Sequence, residues 1–239
     1  AICRYVRREL RSLAPDDRNA FLDAMLTMME VPMAEGMTQF GPDYRDWSYF
    51  VTLHHMASSP QSGDQMHDGM GFLTQHSALS GAFEIALQAV APAVSLAWWD
   101  LTLDWTMVVT EFNGTFDDRF WSMDMWQSNW FGRPDNHTRT VTEGRFAYLA
   151  ADSSALDSMA DVTLNAYGFM RAPWNYNRSP WMTRAAEMNG MSVFYNCAFS
   201  SKVKCTSGPW PSCESHLNAV SSLDHDSFQS FGWYVNYDP

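Results

Sequence analysis

The spacing of hydrophobic and polar positions predicts helices over much of the first half of the chain. Apolar residues recur every three or four positions over Cys3–Met29, which we interpret as a helix in two pieces, the second opening at Pro15. The same period predicts a helix over 47–56 and another over 77–90, the latter ended by Pro92. The first half is therefore predicted to be helical.

Between and after these helices the pattern is weaker. Pro32–Asp46 and Ala57–Met66 are predicted loops, and Leu96–Trp99 is a predicted short buried strand or loop. The Trp-rich stretch Leu101–Gly132 has no clear period and is predicted to be irregular, with one short helix at Asp118–Trp126. Further predicted elements are a strand or hairpin at 139–149, helices at 154–169, 181–188 and 216–229, a loop at 172–180, a strand at 192–199, a cysteine loop at 200–215 and an extended end at 233–239.

These elements define a mainly α fold. We predict one domain over 1–239, with a helical bundle core, long irregular aromatic-rich loops and few short strands. The composition supports a large core, since 46% of the residues are hydrophobic and 15% are aromatic. Eleven tryptophans and 16 methionines are interpreted as core filling, because the pair Met28–Met29 alone does not make a copper-thioether cluster.

The charge balance excludes several classes of partner. The net charge is −12, and Lys202 and Lys204 are the only two lysines. Without a basic stripe to neutralise phosphates, the chain is not expected to bind nucleic acid or an anionic membrane surface. The longest apolar run, Ala86–Trp99, is interrupted by polar residues and proline, so no membrane span is predicted.

Cysteines and glycosylation sequons favour a secreted or luminal protein. An even number of cysteines fits two disulfides, and three connectivities remain open. The cysteines are Cys3, Cys197, Cys205 and Cys213. Sequons begin at Asn113, Asn136 and Asn177, the last weakened by Pro180.

Four of the seven histidines fall between residues 54 and 76. His54 is predicted on one helix and His76 at the start of the next, with His67 in the loop between them. Two antiparallel helices joined in this way would bring the three imidazoles around one point, and imidazole suits copper, zinc, iron or nickel. A single histidine on an apolar face is more often a core residue, but three within 23 residues favour a metal site. His55 points about 100° away from His54 on a helix and is left outside the set.

The flanking residues carry a resemblance to a known family. The sequence resembles the first copper site of tyrosinases and other type 3 copper proteins in Phe50-Val51-x-x-His54, His67, Phe72-Leu73-x-x-His76 and Trp98-Trp99-Asp100-x-x-x-Asp104. Weaker similarity lies in Arg8–Leu13, Asp17–Leu22, Trp126–Gly132 and Val141–Ala147. The resemblance implies a four-helix bundle holding two coppers, with His54, His67 and His76 as ligands of the first copper. For a copper oxidoreductase we further expect Glu84 and Asp100 to support these ligands.

The chain departs from the family at several positions. Gln75 and Ser77 replace an aromatic residue and an arginine around the third ligand, and Gln65 replaces a cysteine that some members bond to a histidine. The second copper site is not visible. His137, His216 and His225 lack the His-x-x-x-His spacing that it needs, so we expect the chain to be an N-terminal portion truncated before that site. The remainder of the polypeptide, or another chain, is then an expected partner.

Three functions are compatible with the sequence. The first is a type 3 copper oxidoreductase that oxidises phenols or catechols with dioxygen. The second is a non-enzymatic relative, either an oxygen carrier or an extracellular structural component. The third is a mononuclear zinc site with three histidines and an open position for water. The motifs favour the first function.

Overall fold

A computed structural model of the 239-residue chain describes residues 5–58, 65–67, 71–113, 118–138, 140–150, 181–182, 187–188, 191–192 and 212–221. Within these ranges the fold is mainly helical, as predicted. The helices are α1 (Pro15–Glu30), α2 (Met33–Phe40), α3 (Trp47–Ser58), α4 (Gly71–Val90), α5 (Leu101–Glu111) and α6 (Cys213–Ser221). A two-stranded antiparallel sheet pairs β1 (Glu187–Met188) with β2 (Met191–Ser192).

Helix α1 is the centre of the packing. Pro15 occupies its first turn with two aspartates, Asp16 and Asp17, a favourable arrangement at a helix N-terminus. Its apolar face buries Phe21, Leu22, Ala24 and Met28. This face packs against α3 and α4, which also contact each other. The predictions of α1 and α3 are confirmed, although α3 also exposes apolar side chains, Tyr49, Leu53 and Met56, on its outer side.

The predicted helix before Pro15 is wrong. Residues 5–9 are extended, and only Leu10–Ser12 form a short 3-10 turn. The backbone instead pairs with a distant segment: Leu10 N–H donates to the Trp98 carbonyl at 2.8 Å, and Trp98 N–H donates to Arg8 at 3.1 Å. This pairing confirms the strand or loop predicted at Leu96–Trp99 only in part: Trp98 forms an isolated bridge with Glu9, but its side chain is exposed where a buried one was expected. A partner almost ninety residues away outweighed the local period.

The predicted loop over 32–46 contains helix α2. Gly36 lies in the middle of this helix, where a glycine lowers intrinsic helix propensity. The reason for the glycine is tertiary, because a Cβ there would lie 2.0 Å from the ring of Tyr44. Tyr44 is fully buried and its hydroxyl donates to the Val31 carbonyl at 2.7 Å. Burial, followed by the charges of Asp46 and Glu35, raises the pKa of Tyr44 to about 12, so the hydroxyl keeps its proton.

Two further differences concern helix boundaries. Helix α4 begins at Gly71, so His76 lies in its second turn and not ahead of the helix. Helix α5 occupies part of the stretch predicted to be irregular, and Asp100 caps it by accepting from the Thr102 N–H at 3.0 Å. The threonines and tryptophan of α5 gave no clear apolar stripe. Its cap and its buried neighbours define the helix.

The tryptophan-rich segment after α5 forms an aromatic layer. Short 3-10 turns at Asp118–Ser122 and Asp124–Trp126 replace the predicted short helix. The Trp126 ring lies 5.0–5.8 Å from the rings of Trp99, Phe120 and Trp121, measured between centroids. These edge and tilted contacts bury Phe120, Trp121 and Trp126, which confirms the interpretation as core for this layer. Trp98 and Trp181 are exposed and do not follow it.

The remaining predictions are confirmed only in part. Where a strand or hairpin was expected over 139–149, the described residues 140–149 form turns and an isolated bridge, between Val141 and Pro134. Residues 187–188 are strand, which contradicts the helix predicted over 181–188. Helix α6 agrees with the start of the helix predicted over 216–229 but begins at Cys213, inside the predicted cysteine loop. The elements predicted at 154–169, 172–180 and 233–239, and most of 192–199, lie outside the described residues.

Candidate metal centre

Three histidines from three consecutive pieces of chain meet beside the α3–α4 contact. His54 lies in α3, His67 in the turn 65–67 and His76 in α4. Their ring centroids are 4.9 Å (His54 to His67), 5.6 Å (His54 to His76) and 5.4 Å (His67 to His76) apart. One ring nitrogen from each histidine lies within 4.8 Å of the other two. The convergence expected from the sequence is present.

The chemistry of these donors fits a transition-metal ion. Nδ1 of His76 lies 2.8 Å from the Phe72 carbonyl oxygen, which can only accept. The proton therefore sits on Nδ1, and Nε2 keeps the lone pair that a metal needs. All three imidazoles are half-buried, so an ion bound among them remains accessible from one side. Imidazole ligands suit copper and zinc alike.

Aromatic contacts hold the two helices that carry the trio. Phe83 of α4 lies edge-on to Phe50 of α3, with ring centroids 5.1 Å apart, and to Trp47 at 6.0 Å. Phe50 is one helical turn before His54 in α3. The register between His54 and His76 is thus set by packing that the apolar spacing of both helices predicts.

An open apolar groove of about 420 Å³ adjoins the trio at His54. Helix α3 contributes Phe50 and Val51 to its wall, α4 contributes Leu79 and Phe83, and α1 contributes Met25. An aromatic ring could lie there with its edge near the imidazoles. The sequence predicted these residues only as core and did not indicate the groove.

Glu84 does not support the histidines as expected from the sequence. Its carboxylate accepts from Arg7 at 2.6 Å and from the Leu96 backbone N–H at 2.8 Å. The hydrogen bond from Arg7 chiefly, and that from Leu96, lower the pKa of Glu84 despite the opposing effect of burial. Glu84 thus ties α4 to two segments of extended chain.

Asp100 also acts elsewhere, at the start of α5. Its side chain caps that helix, and its carbonyl accepts from Arg11 at 2.8 Å. Arg11 also pairs with the fully buried carboxylate of Asp104 at 3.0 Å, and Asp104 accepts from the indole N–H of Trp99. Burial raises the pKa of Asp104, although Arg11 and Trp99 act in the opposite direction. These contacts form a structural network that joins α5 to the short 3-10 turn at Leu10–Ser12.

Of the other histidines, the two whose side chains the structure describes lie outside this group. His137 is exposed in a turn, as predicted, and His216 is exposed on α6. The side chain of His55 and all of His225 lie outside the described residues. The same applies to Cys3, Cys197 and Cys205, so the disulfides stay a prediction. Among the residues that the structure describes, His54, His67 and His76 are the one group of three or more ligand-type side chains close enough to share an ion.

The fold and the site together define a helical metalloprotein with a three-histidine centre between paired helices. Residues 44–229 match the family described as the common central domain of tyrosinase, which is more than half of the chain. The chain belongs to the tyrosinase family, the type 3 copper proteins that the sequence resembles, and copper is the metal that this membership implies.

No curated protein sequence matches the chain. None of the helices in the described parts of the chain has the length and apolar character needed to cross a membrane.

Proposed function

We propose that the chain is part of a copper oxidoreductase that oxidises phenols or catechols with dioxygen, and that His54, His67 and His76 hold one copper. The observation that carries the proposal is the approach of one nitrogen from each imidazole within 4.8 Å. Copper supplies, when bound, the one-electron redox steps that connect a phenolic substrate to dioxygen. Membership of the tyrosinase family supports this chemistry over a zinc site.

The residues of the chain hold and orient the reactants. The Phe72 carbonyl keeps the proton of His76 on Nδ1, so the Nε2 lone pair would be available to hold a copper ion. The groove beside His54, lined by Phe50 and Phe83, would take the substrate ring by apolar contact and exclude water from one side. Both tasks need a rigid α3–α4 pair, which the aromatic contacts supply.

We propose that a second copper is held by histidines from another part of the polypeptide, beyond these 239 residues, or from another chain. The support is the number of histidines: of the seven in the sequence, three form the trio and His137 and His216 are exposed, which leaves too few for a second set of three. We further propose a secreted or luminal location, because the sequon residue Asn136 is exposed in a turn where a glycan would be accommodated.

Replacement of a ligand tests the function. His54→Ala should lose one copper per chain by elemental analysis, and the copper-dependent rise in melting temperature should fall accordingly. His137→Ala, at an exposed histidine outside the trio, is the matched control and should keep both properties. The full-length protein should take up oxygen when catechol is added. The full-length His54→Ala variant should not. Equal copper content in the two variants would overturn the assignment, and zinc in place of copper would favour the mononuclear alternative.

A further inference from the structure

The turn that carries His67 is attached to both flanking helices. Gln65 N–H donates to the carbonyl of Ala57, in the last turn of α3, at 2.9 Å. The side chain of Met66 is buried, with 3% of its surface exposed. On the other side, the Gln65 carbonyl oxygen faces Gly71, the first residue of α4. His67 follows directly and is half-buried beside the other two imidazoles.

The contact at Gly71 leaves no room for a side chain. A Cβ at this position would lie 2.1 Å from the Gln65 carbonyl oxygen, whereas real Cβ contacts stay beyond 3.0 Å. The obstacle is backbone, so it cannot rotate away as a flexible side chain would. Any larger residue would force the turn and the start of α4 apart by about 1 Å.

We propose that Gly71 and the Gln65 backbone position His67 for the metal. His54 is three residues before Ala57, and His76 is five residues after Gly71, so this contact sets the loop ligand relative to both helical ligands. Metal sites tolerate ligand displacements of only about 0.2 Å. A shift of about 1 Å in the turn therefore impairs binding even when the helices stay intact. The inference rests on the proposed metal site and identifies positioning residues within it.

Two glycines of the same helix provide the test. Gly71→Ala should weaken Cu⁺ binding, measured by competition with a colorimetric chelator, by about tenfold or more, the usual effect of losing a group that orients a ligand. Gly81→Ala makes the same change in α4 at a position with open space, and should bind Cu⁺ within about twofold of the unmodified chain. The electron paramagnetic resonance spectrum of bound Cu²⁺ should change in Gly71→Ala and not in Gly81→Ala.

A second pair of variants tests the hydrogen bond between the turn and α3. This pair also tests the inference if Gly71→Ala does not fold. Gln65→Pro removes the N–H that donates to Ala57 and should weaken Cu⁺ binding. Gln65→Ala keeps both backbone contacts and should not. Equal affinity and identical spectra in all variants that fold would overturn the inference while leaving the proposed function intact. Failure of the unmodified chain to bind copper would overturn the proposed function and this inference together.

Discussion

At the scale of single residues, the three histidines converge on one point, whereas the buried carboxylates hold parts of the fold together. From the sequence we predicted the histidines as metal ligands and the carboxylates of Glu84 and Asp100 only as their supports. The buried carboxylate of Asp104 instead satisfies Arg11 and the Trp99 indole, and Glu84 satisfies Arg7 and a backbone N–H. A charged group that becomes buried on folding needs such partners, even though a carboxylate can also bind a metal.

Removing the Asp104 carboxylate should be costly. Asp104→Ala leaves Arg11 and the Trp99 N–H without their buried acceptor, and should lower the free energy of unfolding by about 3 kcal/mol in urea denaturation. Asp17→Ala is the matched control, since Asp17 and Arg8 form an ion pair in which both side chains are substantially exposed. This change should cost less than about 1 kcal/mol. Similar losses in both variants would contradict the structural role assigned to Asp104.

At the scale of elements, helices α3 and α4 are fixed by more than their apolar stripes. Aromatic contacts set their register, and Glu84 anchors α4 to the extended segments at Arg7 and Leu96. Glu84 is mostly buried, with 16% of its side chain exposed, but Arg7 is about half exposed. Solvent screening therefore limits the contribution of this ion pair to about 1 kcal/mol.

The anchor predicts a dependence of stability on pH. Because folding lowers the pKa of Glu84, its contribution is present above the ordinary value of 4.5 and is lost as the pH falls through the lower folded-state pKa. Glu84→Gln should therefore be less stable than the unmodified chain at pH 7 by about 1 kcal/mol. The two free energies of unfolding should converge as the pH falls below the lowered folded-state pKa of Glu84. Glu143→Gln controls for the loss of one negative charge, and a gap that persists unchanged at low pH would contradict the prediction.

At the scale of the whole molecule, α1 organises the described core. It packs on both helices that carry the trio, while the aromatic layer around Trp126 lies against Trp99. This arrangement leaves polar turns, such as the one holding Asn136, on the outside. The net charge of −12 remains the reason to expect no binding to nucleic acid.

The proposed location predicts a glycan at the exposed turn. Expressed in a secretory eukaryotic host, the chain should lose apparent mass after treatment with an N-glycosidase, and Asn136→Gln should remove part of that loss. Thr142→Ser, near the turn but outside any sequon, should leave the mass unchanged. Identical mass with and without the enzyme in every variant would count against passage through the secretory pathway.

The sequence by itself determined the mainly α class, the helices α1 and α3, and the three histidines that meet. These features rest on short-range periodicity and on the spacing of ligands along two neighbouring helices, both of which are local properties. The family motif named the same three residues. Their role as copper ligands stays a prediction for the experiments above.

Only the tertiary structure decided the extended start, helices α2 and α5, and the roles of Glu84 and Asp100. Each depends on a partner far away in sequence: Trp98 for Leu10, Tyr44 for Gly36, and Arg7 for Glu84. The contact between Gly71 and Gln65 is of the same kind. The sequence shows a glycine at position 71, but only the structure shows that the Gln65 carbonyl oxygen occupies the space that a side chain would need. The spacing of apolar residues indicates which face of an element is buried, but it does not indicate which atoms that face contacts.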